Sequence, residues 1–476
     1  MRTFEPRERT PASAIERVKR ELSRALGDSK LVVEPDALLD YGRDESENDP
    51  MAPDLVVRAE TSGDIEATLR IASACDVPVT PRAAGSGKSG GAIPTRGGIV
   101  LTTLGLRSIV EIDRGELVAV VEPGVILADL HEAVEREGLF YPPDANSLKM
   151  CALGGNLAEN AGGPRAFKYG VTRDYLRGME VVLMGGQRIV AGRRTKKGVT
   201  GYDVTALLVG SEGTLAVTTR ATLALLPKPD AIVTMLALFH DVHASGRATA
   251  ELVASGIVPR CIELLDASTL AAVRSRGVAV DPSAGAMLII EADGSEPECD
   301  RAMERLGEAC VEAGALDVLV AKDEAQRERL WEARRTLSYA TRAMAKHKVS
   351  EDVVVPRGSV PALLGDVDRI ASEESVRMLT YGHAGDGNLH VNLLWNDVDE
   401  EPRIRRALEK LFRAVVARSG TLTGEHGVGL SKAPYLGLEQ SAELIELQRQ
   451  IKGVFDPKGL LNPDKIFAGA RAHGSC

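Results

Sequence analysis

The stretch that decides the second half of the chain is Leu379-Thr-Tyr-Gly-His383-Ala-Gly-Asp-Gly-Asn-Leu-His390-Val-Asn-Leu-Leu-Trp395. Apolar runs flank a central Gly-Asp-Gly-Asn sequence whose residues tolerate positive φ, so the pattern predicts a strand, a tight turn and a second strand. Pairing of these strands would bring His383 and His390 together, because opposed residues on paired strands have Cβ atoms about 4.5–5.5 Å apart. Two imidazoles at that distance can share a metal ion.

A second glycine-rich stretch lies downstream and reads Gly424-Glu425-His426-Gly427-Val428-Gly429. Three of the eight histidines of the chain fall in these two stretches, and an acid precedes the third. A single histidine in a glycine-rich turn needs no special explanation. The combination of three histidines and a carboxylate favours a metal site or a catalytic site.

Length and composition limit the classes of function. A chain of 476 residues is too long for one core and predicts two domains. Aromatic residues make up only 4% of the chain, which argues against stacking on nucleic-acid bases. The net charge of −10 argues against a nucleic-acid partner and against an anionic membrane. A small anionic substrate remains compatible, because a metal or a few basic residues can reverse the charge of a pocket.

The cysteines and the N-terminus bear on the compartment. The six cysteines are Cys75, Cys151, Cys261, Cys299, Cys310 and Cys476. None forms a C-x-x-C pair, which excludes the usual iron–sulfur and zinc-finger spacings and suits reduced core thiols. Residues 1–9 lack an apolar signal region, and no run of 18 apolar residues occurs. We therefore expect a cytoplasmic protein without a transmembrane segment, whose contact with the inner face of a membrane would be peripheral.

The most glycine-rich loop of the first half is Gly85-Ser-Gly-Lys-Ser-Gly-Gly91. Its G-x-G-x-x-G spacing resembles a dinucleotide fingerprint and its Gly87-Lys88-Ser89 resembles the end of a Walker A loop. Both motifs require a helix directly after the loop, whereas here Pro94 and Gly97-Gly98 precede a predicted strand. What remains is a loop between strands whose backbone N–H groups can form an anion nest suited to a pyrophosphate.

Further glycine clusters follow the first one, at 122–125, 153–164 and 209–217. Several such clusters in one domain indicate that the backbone approaches a large ligand at several points. After Lys228-Pro-Asp230 the pattern changes to alternating strands and helices, which predicts a split βαβ sheet. The helices predicted along the chain include 13–26, Gly63–Cys75 with Ser62 as its N-cap, Pro297–Gly314 and Glu324–Lys346.

The glycine motifs resemble those of a known family. Val79-x-x-Arg-x-x-Gly-Ser-Gly-x-Ser-Gly-Gly91, Gly154-Gly-Asn-x-x-x-Asn-Ala-Gly-Gly163 and Gly210-Ser-Glu-Gly-Thr-Leu215 resemble the FAD-binding (PCMH-type) domain of the vanillyl-alcohol oxidase superfamily. His383-x-Gly-Asp-Gly-Asn-x-His390, Gly424-Glu-His-Gly427 and Phe455-Asp-Pro-Lys-Gly-x-Leu-Asn-Pro-Asp-Lys465 resemble its FAD-linked oxidase C-terminal domain. The resemblance covers the chain from about residue 35 to 467. Within the superfamily, the chain is similar to the D-2-hydroxyacid dehydrogenases, which act on D-lactate, glycolate or D-2-hydroxyglutarate.

The resemblance implies an α+β fold in which a two-lobed FAD-binding domain precedes a ferredoxin-like C-terminal domain. The corresponding boundaries are an N-terminal helical extension over residues 1–34, the FAD-binding domain over 35–229 and the substrate and metal domain over 230–468.

The resemblance also implies a set of residues that contact FAD. They are Arg82, Gly85, Ser86, Gly87, Lys88, Ser89, Gly91, Pro143, Asp144, Gly154, Gly155, Asn156, Asn160, Gly162, Gly163, Tyr169, Gly170, Glu212, Gly213, Val217 and Asn462. Relatives with covalently bound flavin use a histidine or a tyrosine, whereas the matching position here is Ser86 or a glycine. We therefore expect non-covalent FAD.

The resemblance assigns His383, His390 and Glu425 as ligands of a divalent metal. Two imidazoles and one carboxylate match a catalytic zinc site, and manganese or iron would also accept these ligands. We expect Thr423–His426 to be extended, so that the side chains of Glu425 and His426 point to opposite sides. That leaves His426 as the general base for the substrate hydroxyl, with hydride transfer from the substrate to flavin N5.

Substrate binding is assigned to Arg334, which matches the arginine that holds the substrate carboxylate in the family, and to Ser338 one helical turn later. Arg334 has an alternative interpretation as part of a solvated helix face, because charged residues surround it. Relatives that oxidise hydroxyglutarate place a lysine near Val349-Ser-Glu-Asp352, where this chain has acids. This difference favours D-lactate or glycolate, while Lys346 and Lys348 keep D-2-hydroxyglutarate open.

The electrons must leave through another molecule, because the chain has no cysteine cluster. The expected acceptors are an iron–sulfur subunit, an electron-transfer flavoprotein, a cytochrome or a quinone. The chain is then either a complete dehydrogenase or the flavin-bearing subunit of a glycolate oxidase complex, and a homodimer is open. A non-redox flavoenzyme and an oxidase that produces hydrogen peroxide are further alternatives.

Overall fold

A computed structural model describes residues 8–275, 280–321, 323–335 and 337–469. The side chains of residues 332, 333, 338 and 339 also lie outside the described part. The chain forms two compact units. Unit 1 comprises Met1–Ala161, Val171–Lys228 and Glu425–Cys476, and unit 2 comprises Gly162–Gly170 and Pro229–Gly424.

These units differ from the predicted domains at two places. The long segment of unit 2 begins at Pro229, next to the predicted start at 230, but it ends at Gly424 and not at 468. The residues after 424 belong to unit 1, where the N–H of Val79 donates to Leu460 O and the N–H of Asn462 donates to Val79 O. Residues 1–34 are part of unit 1 as well, since Val18 and Leu22 pack into its core.

Unit 1 contains two main sheets. The first has four strands in the order Leu31–Val32, Leu55–Arg58, Ile99–Thr102 and Val79–Arg82, and its three longer strands are parallel. The second is antiparallel, in the order Ile109–Asp113, Val118–Val121, Val217–Ala224, Leu176–Val182 and Arg188–Gly192. A short pair joins Leu226–Pro227 to Leu139–Phe140.

The helices of unit 1 are Ala12–Leu26, Pro35–Tyr41, Ser62–Ala74, Leu127–Arg136, Leu153–Glu159, Thr172–Tyr175, Val204–Leu208, Leu436–Glu439 and Ala442–Phe455, with 3₁₀ turns at Asp28–Lys30 and Ala433–Tyr435. The prediction of Ser62 as an N-cap is wrong by one residue. Thr61 is the cap, because its side chain accepts the N–H of Asp64 while the Asp64 carboxylate accepts the N–H of Thr61.

Unit 2 is built on a seven-stranded antiparallel sheet. Its order is Asp317–Val320, Ala231–Phe239, Ala286–Gly294, Cys261–Asp266, Arg377–His383, Asn388–Trp395 and His347–Val354. Its helices are Ala166–Tyr169, Val242–Ala254, Ala267–Arg274, Glu296–Glu312, Glu324–Arg335, Leu337–Arg342, Val360–Glu374 and Glu401–Ala417, with 3₁₀ turns at Arg357–Ser359 and Val398–Glu400.

The predicted α+β class is confirmed, since helices alternate with the strands of this antiparallel sheet. The helix predicted over Glu324–Lys346 is too long, because the last helix of this stretch ends at Arg342 and residues 343–346 form a turn before the strand His347–Val354. Within the described ranges, no helix has both the length and the apolar character needed to cross a membrane.

Candidate functional site

The predicted hairpin is present in unit 2. Arg377–His383 pairs with Asn388–Trp395 around a turn at residues 384–387, where Gly387 has a φ of 87°. The register places His383 opposite Asn388 and His390 opposite Tyr381, so the two histidines are diagonal neighbours and not an opposed pair. Their ring centroids are still only 5.2 Å apart, and both side chains are buried.

A buried carboxylate from a neighbouring strand supports this pair. Glu263 lies in Cys261–Asp266, and the register places it opposite His383. Its Oε1 lies 2.5 Å from His383 Nδ1, and its Oε2 accepts a hydrogen bond of 2.6 Å from Arg334 Nε. Burial acts to raise the pKa of Glu263, but the positive charges of Arg334 and His383 outweigh it and bring the pKa to about 2.

Arg334 is not part of a solvated helix face. Its side chain is 2% exposed and its guanidinium lies 5.0 Å from the ring centroid of Tyr381. Among the described residues, its Nη2 has no hydrogen-bond partner. A buried guanidinium whose Nη2 still has hydrogen-bond donors to offer can bind an anionic ligand. The predicted substrate residue Ser338 falls in the helix Leu337–Arg342, and its side chain lies outside the described part.

The third predicted metal ligand follows the last residue of unit 2. The N–H of Gly424 donates a hydrogen bond to Asp352 O, and Glu425 is the next residue after Gly424. His383 and His390 lie in unit 2, whereas Glu425 is the first residue of the last segment of unit 1. Two imidazoles and a carboxylate are a ligand set that suits a divalent cation.

The expectation about His426 is wrong in its geometry. Residues 423–426 do not form a strand, and His426 Nε2 lies 3.7 Å from Glu425 Oε1. The two side chains therefore lie on the same side of the backbone, because bends at Gly424–His426 interrupt the alternation of an extended chain. Both side chains are largely buried.

Most of the residues predicted to bind FAD belong to unit 1. Asn462 joins two of their loops, since its Nδ2 donates to Gly91 O at 3.0 Å and to Glu212 O at 2.7 Å. The other predicted cofactor residues of unit 1 are Arg82, Gly85, Ser86, Gly87, Lys88, Ser89, Pro143, Asp144, Gly154, Gly155, Asn156, Asn160, Gly213 and Val217. The glycine-rich loop at 85–91 leaves the carboxyl end of the parallel strand Val79–Arg82, an edge at which ligands commonly bind.

Four predicted cofactor residues, Gly162, Gly163, Tyr169 and Gly170, belong to unit 2. Tyr169 donates its hydroxyl to Asp293 Oδ2 at 2.8 Å, and Arg260 Nη1 donates to the same oxygen at 2.7 Å. The Tyr169 hydroxyl is thus used in anchoring this short segment to the sheet.

Two features were not predicted from the sequence. They are the role of Glu263 and the hydrogen bonds of the Glu212 side chain. Glu263 had a detectable signal, because it is the one acid inside the apolar run Cys261–Leu265. An acid in such a run is costly to bury unless it is paired. The side chain of Glu212 accepts the N–H groups of Val428 and Gly429, and no local pattern predicts that contact.

Residues 53–192 match the family described as FAD binding domain, and residues 228–466 match FAD linked oxidases, C-terminal domain. The chain belongs to the FAD-linked oxidases and is an FAD-dependent oxidoreductase.

Three relatives are similar over almost their whole lengths. The chain is 39% identical to glycolate oxidase subunit GlcD of Bacillus subtilis, with 95% of this chain and 97% of that one covered. It is 33% identical to D-lactate dehydrogenase of Anaerostipes hadrus, with 87% and 89% covered. It is 31% identical to D-2-hydroxyglutarate dehydrogenase of Stutzerimonas stutzeri, with 94% and 98% covered.

A solved structure shares the fold. The chain superposes on p-cresol methylhydroxylase with a TM-score of 0.81 over 98% of this chain and 99% of that one, at 17% identity. This likeness confirms the predicted PCMH-type fold.

Proposed function

We propose that the chain oxidises a D-2-hydroxy acid to the 2-keto acid and passes the electrons to an external acceptor. The observation that carries the proposal is the buried line of Arg334, Glu263 and His383, with His390 beside it. It combines a cation for a carboxylate with two metal-ligand side chains, which are the groups that an α-hydroxy carboxylate requires. The relatives named for glycolate, D-lactate and D-2-hydroxyglutarate support the same class of substrate.

In this mechanism, Arg334 binds the substrate carboxylate through its Nη2 edge. Glu263 holds the guanidinium in place and fixes the ring of His383 through Nδ1. His426 removes the hydroxyl proton, a step that a placed base typically accelerates by about 10²–10⁴-fold. Bound FAD supplies the hydride acceptor, and a divalent ion at His383, His390 and Glu425 would supply the Lewis acidity that lowers the pKa of the hydroxyl.

Zinc is the proposed ion, with manganese and iron as alternatives. The carboxylate on the second ring nitrogen of His383 supports a metal, because metal-bound histidines usually donate that N–H to a carboxylate or a carbonyl. FAD is proposed to bind non-covalently, with its phosphates near the loop from Arg82 to Gly91.

Glycolate or D-lactate is the proposed substrate, and one observation favours D-2-hydroxyglutarate as a second candidate. Lys348 is buried and donates to Thr341 Oγ1 at 2.8 Å. It lies four residues before Asp352, which is paired with His390, and therefore on the same face of the sheet as that histidine. A buried ammonium on this face could bind a second carboxylate.

The test is anaerobic mixing of the purified protein with D-lactate, L-lactate, glycolate and D-2-hydroxyglutarate, one at a time. Loss of the yellow flavin absorbance with one of the D-acids or glycolate, but not with L-lactate, is the expected result, and a chelator should prevent it. If D-2-hydroxyglutarate is the substrate, Lys348→Met should abolish reduction of the flavin by that acid. A flavin that none of the acids reduces would overturn the proposal.

Two variants separate the proposed roles. His390→Ala should keep the flavin absorbance and lose both bound metal and reduction by substrate. His426→Ala should keep flavin and metal and lower kcat by about 10²–10⁴-fold. Loss of flavin from His390→Ala would assign that histidine a structural role, and near-normal turnover of His426→Ala would remove it as the base.

The acceptor is proposed to be a separate protein or a quinone, and the protein is proposed to work in the cytoplasm. The word subunit in the name of the Bacillus subtilis relative supports a partner that takes the electrons. If a partner takes the electrons, the reduced protein should be reoxidised slowly by dyes and oxygen and rapidly by a cell fraction that contains the partner.

A further inference from the structure

Glu212 has an unusual backbone conformation. It lies in Gly210-Ser-Glu-Gly213 of unit 1 and has a φ of 52°, in the left-handed region that costs a residue with a Cβ free energy. Its N–H donates to Ala158 O at 2.8 Å, and its carbonyl accepts Asn462 Nδ2 at 2.7 Å. Such conformations persist where the surroundings fix them, and they are frequent at functional sites.

The side chain of Glu212 reaches a segment of unit 1 more than two hundred residues away. Its Oε1 accepts the N–H of Val428 and its Oε2 accepts the N–H of Gly429, both at 2.7 Å. Successive N–H groups that converge on one anion form a nest, and hydrogen bonds to a carboxylate are stronger than those between neutral groups. The side chain is buried, so these bonds are shielded from water.

The neighbouring contacts leave this segment little freedom. Ser89 O accepts the N–H groups of Leu430 and Ser431 at 2.7 and 3.1 Å. A Cβ added at Gly427 would lie 2.0 Å from Glu159 Oε2, and one added at Gly429 would lie 2.2 Å from Ser89 O. The backbone of 427–431 is therefore enclosed, directly after Glu425 and His426.

We propose that Glu212 is a positioning residue that holds Glu425 and His426 in place by binding the N–H groups of Val428 and Gly429 in the same loop. The proposal rests on the roles proposed above for Glu425 and His426. It differs from the FAD contact that the resemblance implies for Glu212, because both carboxylate oxygens bind the backbone of Val428 and Gly429.

The test is Glu212→Gln, examined by hydrogen–deuterium exchange of peptides that cover residues 426–431 in the flavin-loaded protein without substrate. Glutamine keeps the size of the side chain, but its NH₂ group cannot accept a hydrogen bond, so one of the two N–H groups loses its acceptor. We expect exchange of the Val428 and Gly429 amides to rise at least about tenfold. Flavin content should stay unchanged, and kcat should fall by a larger factor than KM changes.

Asp113→Asn is the matched control. Asp113 Oδ1 likewise accepts two backbone N–H groups of unit 1, those of Gly115 and Glu116, in a remote turn. This variant should leave both exchange at 426–431 and kcat unchanged. If Glu212→Gln does not fold, Glu212→Asp keeps the charge but shortens the side chain by one methylene, and exchange at Val428 and Gly429 should be faster than in the wild type.

Unchanged exchange at Val428 and Gly429 would overturn the proposal. Loss of flavin with unchanged exchange would assign Glu212 to the cofactor instead. Because the exchange is measured without substrate, its outcome does not depend on which acid the protein oxidises. Failure of all 2-hydroxy acids to reduce the flavin would remove the proposed function and leave the positioning result intact.

Discussion

Glu263 Oε1 lies 2.5 Å from His383 Nδ1 in the centre of the seven-stranded sheet. The other oxygen of the same carboxylate accepts Arg334 Nε at 2.6 Å. One buried acid therefore fixes the ring of a candidate metal ligand and the guanidinium of a candidate substrate-binding residue. The guanidinium offsets the charge of the carboxylate in a place where a lone charge would be costly.

Glu263→Gln should reduce metal affinity and kcat/KM by about 10–100-fold, the usual cost of removing a partner of a metal-bound histidine. The amide cannot serve both His383 and Arg334 as an acceptor at full strength, so the imidazole loses its fixed orientation. Metal content per chain and steady-state rates measure the effect.

Glu291→Gln is the control for loss of stability alone. Glu291 is also a buried acid of this sheet and accepts Thr234 Oγ1 and Trp331 Nε1 at 2.7 and 2.6 Å. Equal losses of metal in the two variants would contradict a specific role for Glu263.

Arg334→Lys should raise KM for the hydroxy acid and lower kcat/KM by at least about tenfold, because lysine keeps the charge but cannot bind Glu263 and a carboxylate with a planar fork. Flavin absorbance should be retained. Arg335→Lys is the matched control, since Arg335 is the next residue and is exposed. Equal kinetics of the two variants would remove Arg334 from substrate binding.

Gly387→Ala should destabilise the hairpin that carries His383 and His390. Gly387 has a φ of 87°, and a Cβ there would lie 2.0 Å from Val355 O. The left-handed conformation alone costs about 1–2 kcal/mol, and the clash adds to it. The free energy of unfolding in urea measures the loss. Gly358→Ala meets no atom within 4 Å and should change little, so similar values for both would contradict the prediction.

The stability of the protein should depend on Asp266 at mildly acid pH. Burial raises the pKa of Asp266 to about 6, although the N–H groups of Thr269 and Thr380 favour the charged form. The folded protein therefore holds this proton more tightly than the unfolded chain, whose aspartate pKa is about 3.9. The stabilisation is present at low pH and is lost as the pH rises through about 6.

Asp266→Asn removes this titration while keeping an acceptor for the helix cap. Relative to this variant, the wild type should lose on the order of 3 kcal/mol of unfolding free energy between about pH 3 and pH 7. Urea unfolding of both proteins across this range checks the sign. Parallel curves would show that Asp266 titrates normally.

Local chemistry made the hairpin predictable. Gly-Asp-Gly-Asn between two apolar runs requires a tight turn, and the turn alone brings His383 near His390. The loops at the glycine clusters were predictable for the same reason, because the local sequence alone indicates where the backbone can turn. The assumption of an extended chain at Thr423–His426 failed because a bend within a glycine-rich segment leaves no periodic signal.

The sequence by itself determined the family, the α+β class, the glycine-rich loops and the candidate ligands His383, His390 and Glu425. Only the tertiary structure decided that Glu263 supports His383 from 120 residues away, and that Glu212 binds the backbone of Val428 from 216 residues away. It also decided that residues 425–469 belong to unit 1. Propensity and periodicity describe neighbours along the chain, whereas these contacts depend on which strands and loops pack together after folding.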